Sequence, residues 1–318
     1  MKNNNKIPLL VIAGPTATGK TEVAVEVADR LNGEVVSADS MQIYRFMDIG
    51  TAKPTVEETR GVPHHLINIV DPDVNFTAAV FQNLARKAIA NIHNHGSVPL
   101  LVGGTGFYID AVIYDYDFSG VGADEELRKS LKREAEQKGN EAVHKLLETV
   151  DPVTAARIHV NDLKRIIRAL EIYHQTGNAG AMFRNNNKLP YPDYDILFIA
   201  LYYQRDILYK RIETRVDKMI ESGLVDEVQS LLNAGYHRNL ISMQGLGYKE
   251  IAGYLYNEYS LDEAVQLLKK NTRRFAKRQL TWFRRYSSIK WIDMEKYDTI
   301  KRVADVIEHL MSGIIKNR

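Results

Sequence analysis

The stretch LLVIAGPTATGKTEVAVEVA, residues 9–28, limits the possible folds more than any other part of the chain. An apolar run, Leu9 to Ala13, leads into a glycine-rich turn from Gly14 to Gly19, followed by Lys20 and Thr21. Val23, Val27 and Leu31 then recur at helical spacing. In the pattern G-x-x-x-x-G-K-[ST], glycines let successive backbone N–H groups converge on phosphate oxygens at a helix N-terminus. The lysine adds a point charge, and the hydroxyl can hold Mg²⁺. Gly14, Pro15, Thr16, Ala17, Thr18, Gly19, Lys20 and Thr21 are therefore phosphate-binding candidates, with Thr21 the candidate metal ligand. The motif needs a strand before it and a helix after it, and both patterns are present. It leaves open whether the phosphate is transferred, hydrolysed or expelled.

The first third of the chain continues this alternation. Glu34 to Ala38 reads as a second strand ending at Asp39, and Gly33 as the stop of the first helix. Leu66 to Val70 and Leu100 to Val102 read as further strands, separated by a helix from Thr77 to His93. Ile196 to Leu201 would rejoin the sheet much later. This predicts an α/β fold, a P-loop NTPase-like parallel sheet flanked by helices. Between 119 and 190 the character changes. Asp124 to Gln137 and Glu141 to Leu147 are charged and helical, a further helix starts after Asp162, and NNNKLPYPD (185–193) reads as a returning loop. Residues 119–190 are expected to form a helical insertion domain, and 1–118 with 191–318 the core, ending in a helical C-terminal region.

Composition narrows the function classes. With 45% hydrophobic and 26% charged residues the chain is an ordinary globular one. No cysteine is present, which excludes disulfides, thiolate zinc sites and a cysteine nucleophile. The apolar run before the glycine turn, Ile7 to Ala13, is too short for a membrane helix, so a cytoplasmic protein is expected. A motor ATPase also needs an acid at the end of a later strand. Leu100 to Val102 runs instead into Gly103-Gly104-Thr105-Gly106, and Asp71 looks as much like a turn residue as a metal ligand. Asp39 is the more suggestive acid, because ligands of open α/β sheets gather outside the carboxyl ends of strands. Taken alone, it could equally cap a turn with Ser40.

Basic charge collects near the C-terminus. Lys269 to Lys290 carries nine lysines or arginines and no acid, interleaved with Phe275, Trp282, Phe283 and Tyr286. Charge runs usually mark solvated helix faces, but those mix both signs. This one suits a polyanion with exposed bases. Lys164, Arg165 and Arg168 form a second basic cluster within the insertion. His64-His65 reads as a packed loop, since no partner follows at metal spacing. Arg211 and Arg215 read as a solvated face unless the fold turns them inward, and Gly245 to Lys249 as a turn between helices. Two readings survive. One is a small-molecule kinase whose lid arginines would be Arg128, Arg157 or Arg168. The other is a nucleic-acid-modifying transferase that grips a diphosphate leaving group. A non-enzymatic RNA-binding module does not explain the phosphate loop.

At the level of whole motifs the chain resembles the tRNA dimethylallyltransferases. The resemblance is carried by GPTATGKT, SADSMQIYRFMDIGTAKP (37–54), GVPHHLINIVDP (61–72) and PLLVGGTGFYI (99–109). DPVTAARIHVNDLKRIIRALEIY, RIETRVDKMIESGLVDEV, QGLGYKEI and RRFAKRQLTWFRR extend it in order over nearly the whole chain. It implies transfer of a dimethylallyl group from dimethylallyl diphosphate to N6 of the adenosine just 3′ of the anticodon, with release of diphosphate and use of Mg²⁺. By the same resemblance Arg215 joins the diphosphate site, Asp39 is the base, and Thr105 orients substrate groups. The implied contacts to the tRNA anticodon stem-loop are Asp39, Ser40, Met41, Gln42, Thr105, Arg128, Lys164, Arg165, Ile166, Ile167, Arg168, Gln244, Gly245, Leu246, Gly247, Tyr248, Lys249, Lys277, Arg278, Gln279, Trp282 and Arg284. A monomer is expected. The stretch after about Lys296 carries no family signal.

Overall fold

Leu9, Leu10, Val11 and Ile12 are wholly buried because β1 (Ile7–Ala13) runs through the middle of the sheet, covered on both faces. The computed structural model describes residues 6–116, 118, 122–180 and 189–315. Contacts divide it into two compact units, 1–113 with 191–318, and 114–190.

In the first unit, α1 (Lys20–Leu31) follows β1, and β2 (Gly33–Ser37) follows α1. Asn32, not Gly33, takes the left-handed stop of α1, at φ 48°, and Gly33 already belongs to the strand. A single turn, α2 (Val56–Thr59), precedes β3 (His64–His65). The expected strand from Leu66 to Val70 does not form, because Leu66 and Asn68 adopt left-handed backbone at φ 62° and 57°. The histidine pair expected in a loop supplies the edge strand instead, pairing with Val35 and Val36 of β2. Next come α3 (Ala78–Asn94), capped by Thr77, then β4 (Val98–Gly103) and α4 (Gly106–Ile113). All strand pairings are parallel, in the order β3-β2-β4-β1, with β1 facing β4 from Leu10–Leu100 to Ala13–Gly103.

The second unit is helical. It contains α5 (Glu125–Lys138), α6 (Asn140–Val150), the turn α7 (Pro152–Ala155) and α8 (Leu163–Thr176). Its core joins Leu131, Val143, Leu147, Ile158, Ile166, Ile167 and Leu170. Of the loop read at 185–193, residues 185–188 lie outside the described residues, and 189–193 lead into the next strand.

The chain then re-enters the first unit as β5 (Tyr194–Tyr202), which pairs with β1 on the side opposite β4. After it come α9 (Arg205–Glu221), α10 (Leu224–Asn233), α11 (Tyr248–Leu255) and α12 (Leu261–Phe283). The outer strand β6 (Lys290–Asp293) and α13 (Ile300–Ile315) close the chain. The stretch without motif signal is thus structural. Val303, Ala304, Ile307 and Met311 of α13 are buried in the same core cluster as Val23 and Val27 of α1, and Arg30 ties the two helices through Asp305 at 2.5 Å. This is a P-loop NTPase-like parallel sheet, and the carboxyl ends of its strands share one edge. No described helix is long and apolar enough to cross a membrane.

Gly103 shows how tightly that edge is packed. A Cβ there would stand 2.2 Å from the carbonyl oxygen of Ala38, just past β2. Gly103→Ala should therefore destabilise the protein by about 1–3 kcal/mol through overpacking. The expected observation is a lower urea midpoint at unchanged m value.

Candidate active site

The phosphate loop is held open from its own backbone. Lys20 Nζ donates to the Pro15 carbonyl at 2.8 Å, and Thr18 Oγ1 donates to the same oxygen at 2.9 Å. Ala17 and Gly19 adopt left-handed backbone, at φ 66° and 82°. From outside the loop, Arg211 Nε donates to Ala17 O at 2.8 Å, with its guanidinium 4.5 Å from the Tyr203 ring centroid. Arg211 is thus exposed, as its spacing suggested, yet it braces the loop. Arg215 is turned inward by α9 and lines the same cleft as Lys20. Burial pulls the Lys20 ammonium down to about 7; the neighbouring Arg215 lowers it further, and Asp39 opposes both. Arg215 is also lowered by burial, against the pull of Asp39 and Glu58. Two cations close together in a poorly hydrated cleft are a site for an anion.

The opposite wall is built on the ends of β2 and β4. Asp39 Oδ1 accepts the Met41 amide at 2.9 Å, closing an Asx turn, while Oδ2 has no hydrogen-bond partner among the described residues. Thr105 Oγ1 accepts the Ser40 amide at 3.0 Å and lies 3.3 Å from Ser40 Oγ. Asp39, Ser40, Thr105, Lys20 and Arg215 thus line one cleft of about 1660 Å³. Among the described residues no group of three His, Asp or Glu could cage a metal. Thr21, half-buried in the cleft wall beside Lys20, suits a Mg²⁺ that takes most of its ligands from phosphate oxygens.

The floor loop, Asp48 to Lys53, depends on a residue that sequence reasoning missed. Glu227 of α10 accepts the amides of Asp48, Ile49 and Gly50 at 2.9, 2.7 and 3.1 Å, and the Tyr248 hydroxyl at 2.6 Å. Lys53, deep under the loop, donates to Tyr44 O, Asp48 Oδ1 and Asn68 Oδ1. Burial lowers its charge affinity, and Asp48 partly restores it. Only the unusual density of MDIGTAKP hinted at such a loop.

The other expected site residues separate into several groups. Met41, Gln42, Gln244, Gly245, Leu246, Lys249 and Arg278 line the cleft. Gln42 turns back onto Ser37 Oγ at 2.9 Å and toward the 51–52 carbonyls. Tyr248 is wholly buried and spent on Glu227, and Gly247 is buried too, so neither side is presented to a ligand. Gln279 is 6% exposed, with both polar atoms bonded within the protein. Lys277 and Arg284 are exposed at the C-terminal end of α12, and Trp282 is half-buried, its Nε1 donating to Tyr286 Oη at 3.1 Å. In the second unit Lys164 and Arg165 are exposed, whereas Ile166 and Ile167 are core residues. Arg128 and Arg168 both bond the fully buried Glu171 carboxylate, which also accepts the Asp124 amide at 2.6 Å. These two arginines are bound to that carboxylate, as kinase-lid arginines would not be. Asp71, the alternative metal acid, pairs with Arg45 at 3.0 Å and is not part of the cleft.

Residues 42–286 match the family model for IPP transferase. The chain belongs to this family. It is 52% identical to a tRNA dimethylallyltransferase from Alkaliphilus oremlandii (strain OhILAs), over 94% of this chain and 95% of that one. The full-length tRNA isopentenylpyrophosphate transferase from Bacillus halodurans has a similar structure, with TM-score 0.73, 46% identity, and 98% and 99% of the chains covered. A eukaryotic dimethylallyltransferase acting on tRNA superposes at TM-score 0.82 and 29% identity, over 98% of this chain and 80% of its own.

The depressed Lys20 ammonium has a signed consequence. Its charge is disfavoured by folding, so Lys20 opposes stability below pH 7, and that opposition fades as pH rises from about 7 toward the ordinary lysine value of 10.5. A bound diphosphate restores the charge, so at pH 8 the protein should take up about one proton more on binding inorganic diphosphate than a variant whose cation stays charged. Lys20→Arg, whose charge persists at every accessible pH, should show no such uptake. Calorimetry in buffers of different ionisation enthalpy measures the difference, and equal uptake by both proteins contradicts the assignment.

Proposed function

We propose that this protein transfers a dimethylallyl group from dimethylallyl diphosphate to N6 of the adenosine 3′ to the anticodon of a tRNA, releasing diphosphate. The observation that carries the proposal is one cleft in which Lys20 and Arg215 face Asp39, an acid with an unbonded oxygen. A kinase reading leaves the basic run on α12 without a purpose, and the relatives are named as transferases.

In the reaction the C1–O bond of the prenyl diphosphate breaks as N6 of adenine bonds to C1. Negative charge grows on the departing diphosphate, where the loop amides, Lys20 and Arg215 stabilise it as it develops. Mg²⁺ held by Thr21 and the phosphate oxygens would add Lewis-acid stabilisation there. The exocyclic amine is a weak nucleophile, so Asp39 accepts the proton N6 sheds, and Thr105 with Ser40 orients the adenine. The base must leave the anticodon stack to reach the cleft.

The RNA surface follows from which cations lack partners. Lys269 and Arg273 are spent on Asp217 and Glu213 of α9, each at 2.6 Å. Lys270, Arg274, Lys277, Arg278 and Arg284 are exposed without carboxylate partners among the described residues. They supply the surface for backbone phosphates in the first unit; in the second, Lys164 is exposed, whereas Arg165 pairs with Asp162 at 3.4 Å.

Two measurements test this reading. Protein incubated with unmodified tRNA and dimethylallyl diphosphate labelled in the prenyl group should move the label to RNA, whereas γ-labelled ATP should transfer nothing. In the same assay Asp39→Asn should bind tRNA normally but slow single-turnover transfer by about 100- to 10,000-fold. A rate within a few-fold of wild type would reduce Asp39 to a turn residue. Separately, replacing Lys277, Arg278 and Arg284 together by Gln should lower the slope of log K against log salt for tRNA by about two units. Affinity for dimethylallyl diphosphate should fall much less than affinity for tRNA, since of the three only Arg278 lines the cleft, and an unchanged salt slope would remove this end of α12 from the RNA surface.

A further inference from the structure

Gln279 stands on α12 among residues that the family resemblance assigns to RNA contact, yet its side chain points the other way. It is 6% exposed. Its Oε1 accepts the Thr16 amide of the phosphate loop at 3.0 Å, and its Nε2 donates to the Gly104 carbonyl at 2.9 Å. The reversed amide would set NH₂ against N–H and oxygen against oxygen, so these partners fix its orientation. A primary amide offers the required donor and acceptor on one planar group.

Both partners lead directly to the chemistry. Thr16 lies inside the loop that holds the leaving group, and its N–H is committed to Gln279. Gly104 precedes Thr105, whose hydroxyl accepts the amide of Ser40, next to Asp39. A Cβ at Gly104 would stand 2.2 Å from Gln279 Nε2 and 3.5 Å from the Gly14 carbonyl. Three segments therefore meet within one side chain's reach, and glycine at 104 leaves room for it. On the same helix Lys277 and Arg278 are exposed.

We infer that Gln279 is a positioning residue of the transfer reaction, which holds the diphosphate loop and the acceptor-side Thr105 loop in mutual register, and does not contact RNA. This rests on the transferase reading above. A displacement of about 1 Å between reacting groups can cost about a hundredfold in rate, so a residue that spaces the two loops governs kcat.

The test uses the full-length protein, unmodified tRNA and dimethylallyl diphosphate. Gln279→Met keeps the length and apolar body but removes both hydrogen bonds. It should lower kcat by about 10- to 100-fold and raise KM for dimethylallyl diphosphate several-fold. The Kd for tRNA and its salt dependence should stay at wild-type values. Gly104→Ala disturbs the same amide from the other side and should give the same split, which keeps the test decisive if Gln279→Met does not fold. Because both act on one contact, the double variant should be no slower than the slower single one. A weaker, salt-flattened tRNA affinity with normal kcat would make Gln279 an RNA contact and overturn the inference. So would a lower Tm with kcat and both KM values unchanged, or multiplicative losses in the double variant. If wild-type protein itself moves no label from dimethylallyl diphosphate to tRNA, the transferase reading fails instead.

Discussion

The parallel pairing of β1 with β4 on one side and β5 on the other underlies everything else in the first unit. With β1 buried on both faces, its carboxyl end can only deliver the phosphate loop to one edge of the sheet. β2 and β4 run in the same direction, so Asp39 and Thr105 arrive at that edge as well. No long-range attraction between these side chains is needed to gather them. The hydrogen-bonded ladder does that, and the small residues after each strand permit close approach.

Charge is divided by the same economy of placement. Where a cation is meant to be structural, a carboxylate meets it, as Glu213 and Asp217 meet the first half of α12, and Glu171 meets Arg128 and Arg168. In the cleft, Arg215 lowers the charge affinity of Lys20, and Asp39 is the acid that acts on both. The run without acids from Lys269 to Lys290 therefore divides into cations paired within the first unit and cations left exposed, and only three-dimensional placement separates them.

The parts that could be read from the sequence were those in which geometry and chemistry occupy contiguous residues. Gly14 to Thr21 is both a backbone shape and a donor set, and Asp39 ends a strand whose neighbours were also visible. Leu66 to Val70 misled because hydrophobicity does not report left-handed φ at Leu66 and Asn68. Arg215 could not be separated from a solvated arginine by spacing, since the direction of α9 comes from packing. Gln279 and Glu227 were beyond local reading altogether. Their partners lie 263, 175 and 178 residues away in the chain, and nothing near an isolated Gln or Glu encodes such a contact.

The sheet order also sets a timetable for synthesis. β1 leaves the ribosome well before one of its two neighbours, β5, which begins at Tyr194, after the whole second unit has been made. Until then β1 carries an open apolar edge, while 114–190, whose contacts are mostly among themselves, is free to form. From Ala13 to Tyr194 the nascent chain thus elongates with an incomplete central strand, the state in which unpaired edges are exposed to chaperones or to aggregation. The helical insertion, interposed between the two strands that must pair, lengthens that interval, and the phosphate loop takes its final shape only when α12 has emerged to hold Thr16.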